Sequence, residues 1–360
     1  MAAVALDASL WDEPTTGIAL YTRQLAAALE ARGVAVERWG ARRTGEEPRG
    51  RWSRSTWTLA RLPTLLADRR PRLFHAVSNF NLPLERTPGV PYVLTVHDLV
   101  PLLLPDTVST PFRWQFRAWL ARSLKVASQV ICVSETAKAS VLARFDVAED
   151  KLTVIHHGVD HVDTLPPADA TTHAWIDALG LTEPWVLYAG ALDARKNVEL
   201  VLDAIERLHA GGRKVSLVLA GQRWFGAGAI EMRVQALKAR GVDVRPLGYL
   251  DERVFYAVMR RAGVFVFPSR YEGFGLPPLE AMHLGVPTIV STEGSLPEVC
   301  GDGALQVGPD DGVGLATRLE ELLSDSALRA EWARKGRLRA AHFRWKRTAE
   351  ATEQVYGRAW

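Results

Sequence analysis

Two cysteines, Cys132 and Cys300, are all that 360 residues contain. One lies inside the apolar run VICV and the other closes a short helix-like stretch, so both read as buried thiols, and a disulfide framework or thiol redox chemistry is excluded. Long apolar runs are missing too. Nowhere do about 18 uncharged apolar residues follow one another, and no basic segment with an apolar stretch behind it opens the chain, so neither export nor membrane spanning is indicated and a cytoplasmic location is expected. The fragment GAGAI near residue 226 lacks the G-x-G-x-x-G spacing, which argues against a nicotinamide dinucleotide site. No Asp-x-Asp pair offers carboxylates to a divalent ion, and His156 and His157 have no ligand-spaced partner, so no metal is expected.

Charge of one sign is scarce overall, with a net of +3, but it is unevenly placed. Between Ala41 and Arg72 there are nine arginines against three acidic residues, interleaved with Trp52 and Trp57, and residues 111 to 127, PFRWQFRAWLARSLKVA, carry four basic residues and no acid. Basic and aromatic residues mixed on helices suit an anionic membrane surface or an anionic lipid-linked substrate. A solvated face with its rings turned inward is the other reading, and no nucleic-acid partner is expected.

What is present is alternation. Apolar strand-like runs (AVALDA, VAVERW, RLFHAV, PYVLTVHD, SQVICVS and TVIHHGV) fill the first half. Between the first two lies GIALYTRQLAAALEARG, where Ile18, Tyr21, Leu25 and Leu29 recur at helical steps and Gly33 ends the helix. The Pro-, Thr- and Ala-rich stretch from His161 to Pro184 reads as a connection. Beyond it the strands WVLYAG, KVSLVLAG, VDVRPLG, VFVFPS and PTIVS alternate with helices. Continuous apolar strands separated by helices predict parallel sheets covered on both faces. The expected organisation is an N-terminal doubly wound domain at 1–165, a linker at 166–184, a second such domain at 185–342, and a helical tail at 343–360 that crosses back to the first. Ligands of such sheets bind beyond the carboxyl ends of the strands, which directs attention to the loops there.

In PSRYEGFGLPPLEAM, Gly273 and Gly275 allow close backbone approach, and Pro277 or Pro278 suits a first helical turn whose amides can cradle a phosphate. Glu272 and Glu280, eight positions apart, accept but do not donate, which fits hydroxyls: a ribose diol for Glu280 and a sugar for Glu272. The alternative is that Glu280 merely offsets the helix dipole while Glu272 faces solvent. Arg195 and Lys196 in YAGALDARKN stand just before a helix start, where cations oppose the dipole unless an anion such as a diphosphate lies between them. His97, at a strand end in TVHDLV, is a candidate donor to a sugar hydroxyl or phosphate, or an acid or base. Gly17 opens the first helix.

These residues resemble glycosyltransferase family 4, retaining enzymes of the GT-B fold: two Rossmann-like doubly wound domains facing a central cleft. The resemblance runs through DASLW, TTGIALYTRQL, TVHDLVPLLLPD, CVSETAKASVL, TVIHHGVD, YAGALDARKN, PLGYLDE, PSRYEGFGLPPLEAM and HFRWKRTAE. It implies that Arg195 and Lys196 hold a donor diphosphate, that Glu272 with Gly273, Phe274 and Gly275 holds the donor sugar, and that Glu280 holds the ribose. It further implies that His97 contacts the transferred sugar, that Gly17 and Gly190 lie by the donor, and that Gly248, Tyr249 and Leu250 lie by the base. One departure is Thr16, where the family often has a second glycine before Gly17. The start DASLW with TTGIALYT is similar to bacterial mannosyltransferases, which implies hexose transfer from GDP-mannose to a glycan or lipid-linked acceptor. UDP-glucose, UDP-N-acetylglucosamine and deoxysugar nucleotides stay open as donors. A sugar-nucleotide 2-epimerase or hydrolase, or a non-catalytic binder, stays open as the activity.

Overall fold

The computed structural model describes residues 3–13, 17–40, 56–79, 81–223 and 227–359. Thr16, Trp52, the arginines Arg42, Arg43, Arg49, Arg51 and Arg54, and Gly226 lie outside them. The chain divides into two units, Met1–Gly158 with Arg344–Trp360, and Val159–Phe343.

In the first unit the described strands are β1 (Val4–Asp7), β2 (Val36–Trp39), β3 (Leu73–Ala76), β4 (Tyr92–Val96), β5 (Gln129–Cys132) and β6 (Leu152–Val154), all parallel, in the order β2-β1-β3-β4-β5-β6. The central strands are buried on both faces, as their unbroken apolar character requires. The helix Gly17–Glu30 seats Tyr21, Leu25 and Leu29 in the core, where they meet Trp345, Val355 and Tyr356 of the last helix, Trp345–Ala359. That helix belongs to this unit although it ends the chain, and its Tyr356 hydroxyl lies 2.8 Å from His75 Nδ1. Gly158 sits where the chain leaves the unit, and a Cβ there would fall 2.1 Å from Trp345 N, so only glycine fits.

The second unit repeats the plan with β7 (Val186–Ala189), β8 (Leu217–Ala220), β9 (Val244–Gly248), β10 (Val264–Phe267), β11 (Thr288–Ser291) and β12 (Leu305–Val307), parallel in the order β12-β11-β10-β7-β8-β9. The edge strand β9 carries Arg245 and Pro246, tolerable because a proline's missing N–H harms only an interior ladder. β12, LQV, was not expected from its short, partly polar run; it forms against β11.

The expected linker is not a linker. Residues 166–184 belong to the second unit, and the boundaries fall after Gly158 and Phe343 rather than at 165, 184 and 342. Asp169 caps a helix, Ala170–Ala178, by accepting from Thr172 N at 2.8 Å, and Ile176 is buried. Arg261 pairs with Asp177 and Glu183, at 2.6 and 3.0 Å. These exposed pairs add little; the buried Ile176 is what docks a segment whose composition looks like a connector.

Candidate functional site

The order of the second sheet reverses between β7 and β10, because β8 and β9 continue to one side and β11 and β12 to the other. Loops leaving the carboxyl ends of two such strands diverge and open a crevice. Arg195 and Lys196 follow β7; Glu272 follows β10.

Local geometry positions them. After β7 the chain makes a turn, Ala194–Lys196, closed by Asp193 Oδ1, which accepts from Lys196 N–H at 2.8 Å. Asn197 then takes the left-handed conformation, φ 55°, that its short polar side chain tolerates. Its Nδ2 donates to Pro268 O at 3.2 Å and Pro309 O at 2.7 Å, which fixes the start of the helix Val198–Ala210. Gly190 carries the chain off β7 with φ 152°, and a Cβ there would lie 3.2 Å from the Tyr188 hydroxyl. On the other side, Ser295 Oγ shares its hydrogen between Phe274 O at 2.9 Å and Glu272 O at 3.1 Å, holding the EGFG loop. Gly275, φ 97°, turns that loop into the helix Leu276–His283, with Pro277 and Pro278 in its first turn.

Three donors converge on one oxygen. Arg195 Nη1 and Lys196 Nζ each lie 2.7 Å from Glu272 Oε1, and Ser269 Oγ lies 2.6 Å from it. Among the described residues none donates to Oε2. The side chains are 19%, 12% and 12% exposed for Arg195, Lys196 and Glu272. Burial pushes the Glu272 carboxyl up, but the charges of Lys196 and Arg195 outweigh it and hold the group below the usual carboxylate range. For Lys196 the balance goes the other way: burial, with repulsion from Arg195, outweighs the pull of Glu272 and lowers the ammonium's pKa, while Nζ sits 4.5 Å over the Phe267 ring. With Asp193 Oδ2 4.0 Å from Arg195 Nη2, two cations face two carboxylates and the cluster is formally neutral. The solvent-facing alternative for Glu272 therefore does not describe it.

Glu280 is buried rather than set at an open helix end. Its Oε1 lies 3.2 Å from His161 Nε2, and the same nitrogen lies 3.3 Å from the Tyr256 hydroxyl. Burial and then the Glu280 charge push the Tyr256 phenol far up, so it stays protonated. Gly248 ends β9 with φ 69°, accepting from Gly221 N at 2.8 Å, and Tyr249 beyond it is 50% exposed. Gly273 and Phe274 are buried, and the Phe274 ring meets Phe343 edge-on at 6.0 Å.

In the first unit Gly17 opens its helix in an exposed position. His97 follows β4 and is 8% exposed. Its backbone N–H donates to Asn79 Oδ1 at 2.8 Å, and its Nε2 lies 2.8 Å from Val77 O. A carbonyl only accepts, so the proton is on Nε2, and burial lowers the pKa to about 4, leaving Nδ1 an acceptor at neutral pH. His157 lies in a loop, as expected, but is buried there and packs its ring 4.7 Å from Tyr21 and 5.5 Å from His97. Both thiols are buried and pushed up to about 12, as inert cysteines are.

Sequence reasoning passed over Asp193, Asn197, Ser269 and Ser295 around the cation pair, and His161 and Tyr256 around Glu280. The capping spacing Asp193-x-x-Lys196 was a usable signal; the others become visible only through contacts across the chain.

Residues 15–162 match the family model of Glycosyltransferase Family 4, and residues 170–339 that of Glycosyl transferases group 1. The O-antigen chain mannosyltransferase B of Escherichia coli is 29% identical over 301 residues, covering 81% of this chain and 75% of that protein. A glycogen synthase of Mycobacterium tuberculosis is 32% identical over 326 residues, covering 83% of this chain and 75% of that protein. Among solved structures, Anabaena HepE in complex with UDP-glucose superposes with a TM-score of 0.75 at 17% identity, covering 99% of this chain and 100% of that one. Two parallel six-stranded sheets, each half matched to its model and a relative above 30% identity along most of its length, lead to one statement: the chain belongs to glycosyltransferase family 4, with the GT-B fold.

Proposed function

We propose that the protein transfers a hexose, mannose from GDP-mannose, to a hydroxyl of a glycan or lipid-linked acceptor with retention of the α configuration. The observation that carries the reading is the convergence of Arg195, Lys196 and Ser269 on Glu272 Oε1 at the reversal point of the second sheet. A diphosphate arriving there competes with Glu272 for both cations, and Oε2 is left to accept from a sugar hydroxyl. As the glycosidic bond to phosphate breaks, charge grows on the leaving oxygen, and Arg195 and Lys196 are already in place to meet it. No side chain is assigned as a covalent nucleophile, so attack from the face of the departing phosphate accounts for retention. Tyr249, exposed beyond β9, has the surface for stacking on a base.

The mannosyl choice is supported by likeness to the Escherichia coli mannosyltransferase; the glycogen synthase likeness and the UDP-glucose complex of HepE favour a glucosyl donor instead. A thermal-shift panel of GDP-mannose, UDP-glucose and UDP-N-acetylglucosamine decides between them, and stabilisation by a UDP-sugar alone rejects GDP-mannose. Incubation with labelled GDP-mannose without acceptor separates transfer from epimerisation or hydrolysis: epimerised or freely released sugar at the transfer rate defeats the proposal.

Peripheral contact with an anionic membrane is part of the reading. The helix Thr110–Val126 turns Trp114, 64% exposed, outward together with exposed Arg117 and Lys125, and carries no acid. Trp57 of the arginine-rich segment is buried and takes no part.

A further inference from the structure

Glu280 and the turn Asp160–Thr164 are held together by two reciprocal contacts. His161 on the turn reaches Glu280 Oε1 on the helix at 3.2 Å, and three residues further along that helix His283 Nε2 lies 2.7 Å from Asp163 Oδ1 on the turn. Both ends of the first contact are buried, at 1% and 5% side-chain exposure. A second neighbour meets the same carboxylate: the Tyr256 phenol, which His161 Nε2 approaches at 3.3 Å, hydrogen-bonds the Glu280 side chain. A buried carboxylate held by such neighbours has its plane set before any ligand arrives. A carboxylate free to rotate would have to be ordered when hydroxyls arrive, which weakens binding.

From this we infer that His161 is a positioning residue for nucleotide recognition: by donating from Nε2 to Glu280 Oε1 it fixes the carboxylate in the orientation that meets the ribose diol. The inference rests on the reading that Glu280 takes the ribose. His161 itself touches no substrate in this scheme; with Tyr256 it holds the Glu280 side chain.

The test is calorimetric titration of GDP and UDP, and of their 2′,3′-dideoxy forms, into the full chain and into His161→Ala, His161→Gln and Glu280→Ala. In the wild type, loss of the diol weakens binding about tenfold or more, the loss of a hydrogen bond to a charged group. His161→Ala is expected to weaken the diphosphate about tenfold and leave the dideoxy form unchanged, so that discrimination disappears, while His161→Gln, which can still donate, restores most of it. Where His161→Ala does not fold by circular dichroism, His161→Gln and His161→Leu are compared, the leucine expected to lose the discrimination that glutamine keeps. A folded His161→Ala, or His161→Leu in its place, that prefers the diol as strongly as wild type overturns the inference. If Glu280→Ala also keeps the preference, or if wild type binds neither nucleotide, the underlying ribose assignment fails as well.

Discussion

Lys196→Met isolates the leaving-group role from the fold. In the resting cluster Glu272 Oε1 has three donors, so removal of Lys196 still leaves Arg195 at 2.7 Å and Ser269 at 2.6 Å, and no carboxylate is stranded. The Lys196 ammonium is itself disfavoured by burial. Its folded pKa lies below its unfolded value, so its stabilising contribution is complete only above the unfolded value, near pH 10.4, and is lost as pH falls through the folded one; at pH 7 the charge opposes folding. Met keeps the stem and removes the charge, so the melting temperature should hold or rise. Catalysis should behave otherwise. The cluster goes from formally neutral to one net negative charge, which repels the diphosphate. A unit charge about 4 Å from a developing opposite charge is worth about 4 kcal/mol at an effective dielectric of 20, and loss of one preorganised donor costs about 3 kcal/mol in comparable sites. At about 1.4 kcal/mol per decade, turnover should fall roughly 100-fold. The assay is initial-rate transfer from a saturating sugar nucleotide, alongside thermal denaturation at pH 7. Turnover within a fewfold of wild type would refute the reasoning; so would a melting temperature that collapses with activity, because the cluster would then be structural.

Other outcomes follow from the same geometry. Glu272→Gln leaves two adjacent, mostly buried cations, so urea unfolding at pH 7 should show a loss of about 3 kcal/mol. Because the folded Glu272 pKa is depressed, its contribution is present above the unfolded value and fades as pH falls through the folded one; wild type and variant should therefore converge as pH falls below the usual carboxylate range, and a gap constant with pH contradicts the pairing. His97, with its pKa lowered to about 4, should contribute no inflection near pH 6.5 to kcat/KM; an inflection there that vanishes in His97→Gln would show an exposed, titrating imidazole instead. Flotation with anionic liposomes at low salt should carry the protein upward, and Trp114→Ala with Arg117→Glu should leave it at the bottom. Equal flotation of both would move the membrane contact elsewhere.

The sequence by itself determined the class of fold and pointed to the loops that form the candidate site. Period-two and continuous apolar runs such as VFVF and VLYA can be satisfied only inside a covered parallel sheet, and glycines, prolines and charges at strand ends mark the loops where ligands bind. Arg195, Lys196 and Glu272 were legible for that reason. Tertiary structure decided the partners, because they are distant along the chain: Glu272 lies 76 and 77 positions from the two cations, and Glu280 lies 119 from His161. It also decided which nitrogen of His97 holds the proton, through a carbonyl on the neighbouring strand's exit loop, and it placed residues 166–184 within the second unit by burying Ile176. Periodicity reports whether a side chain faces a core; it carries no term for which distant group that side chain meets there, and hydrogen bonds and ion pairs depend on that meeting.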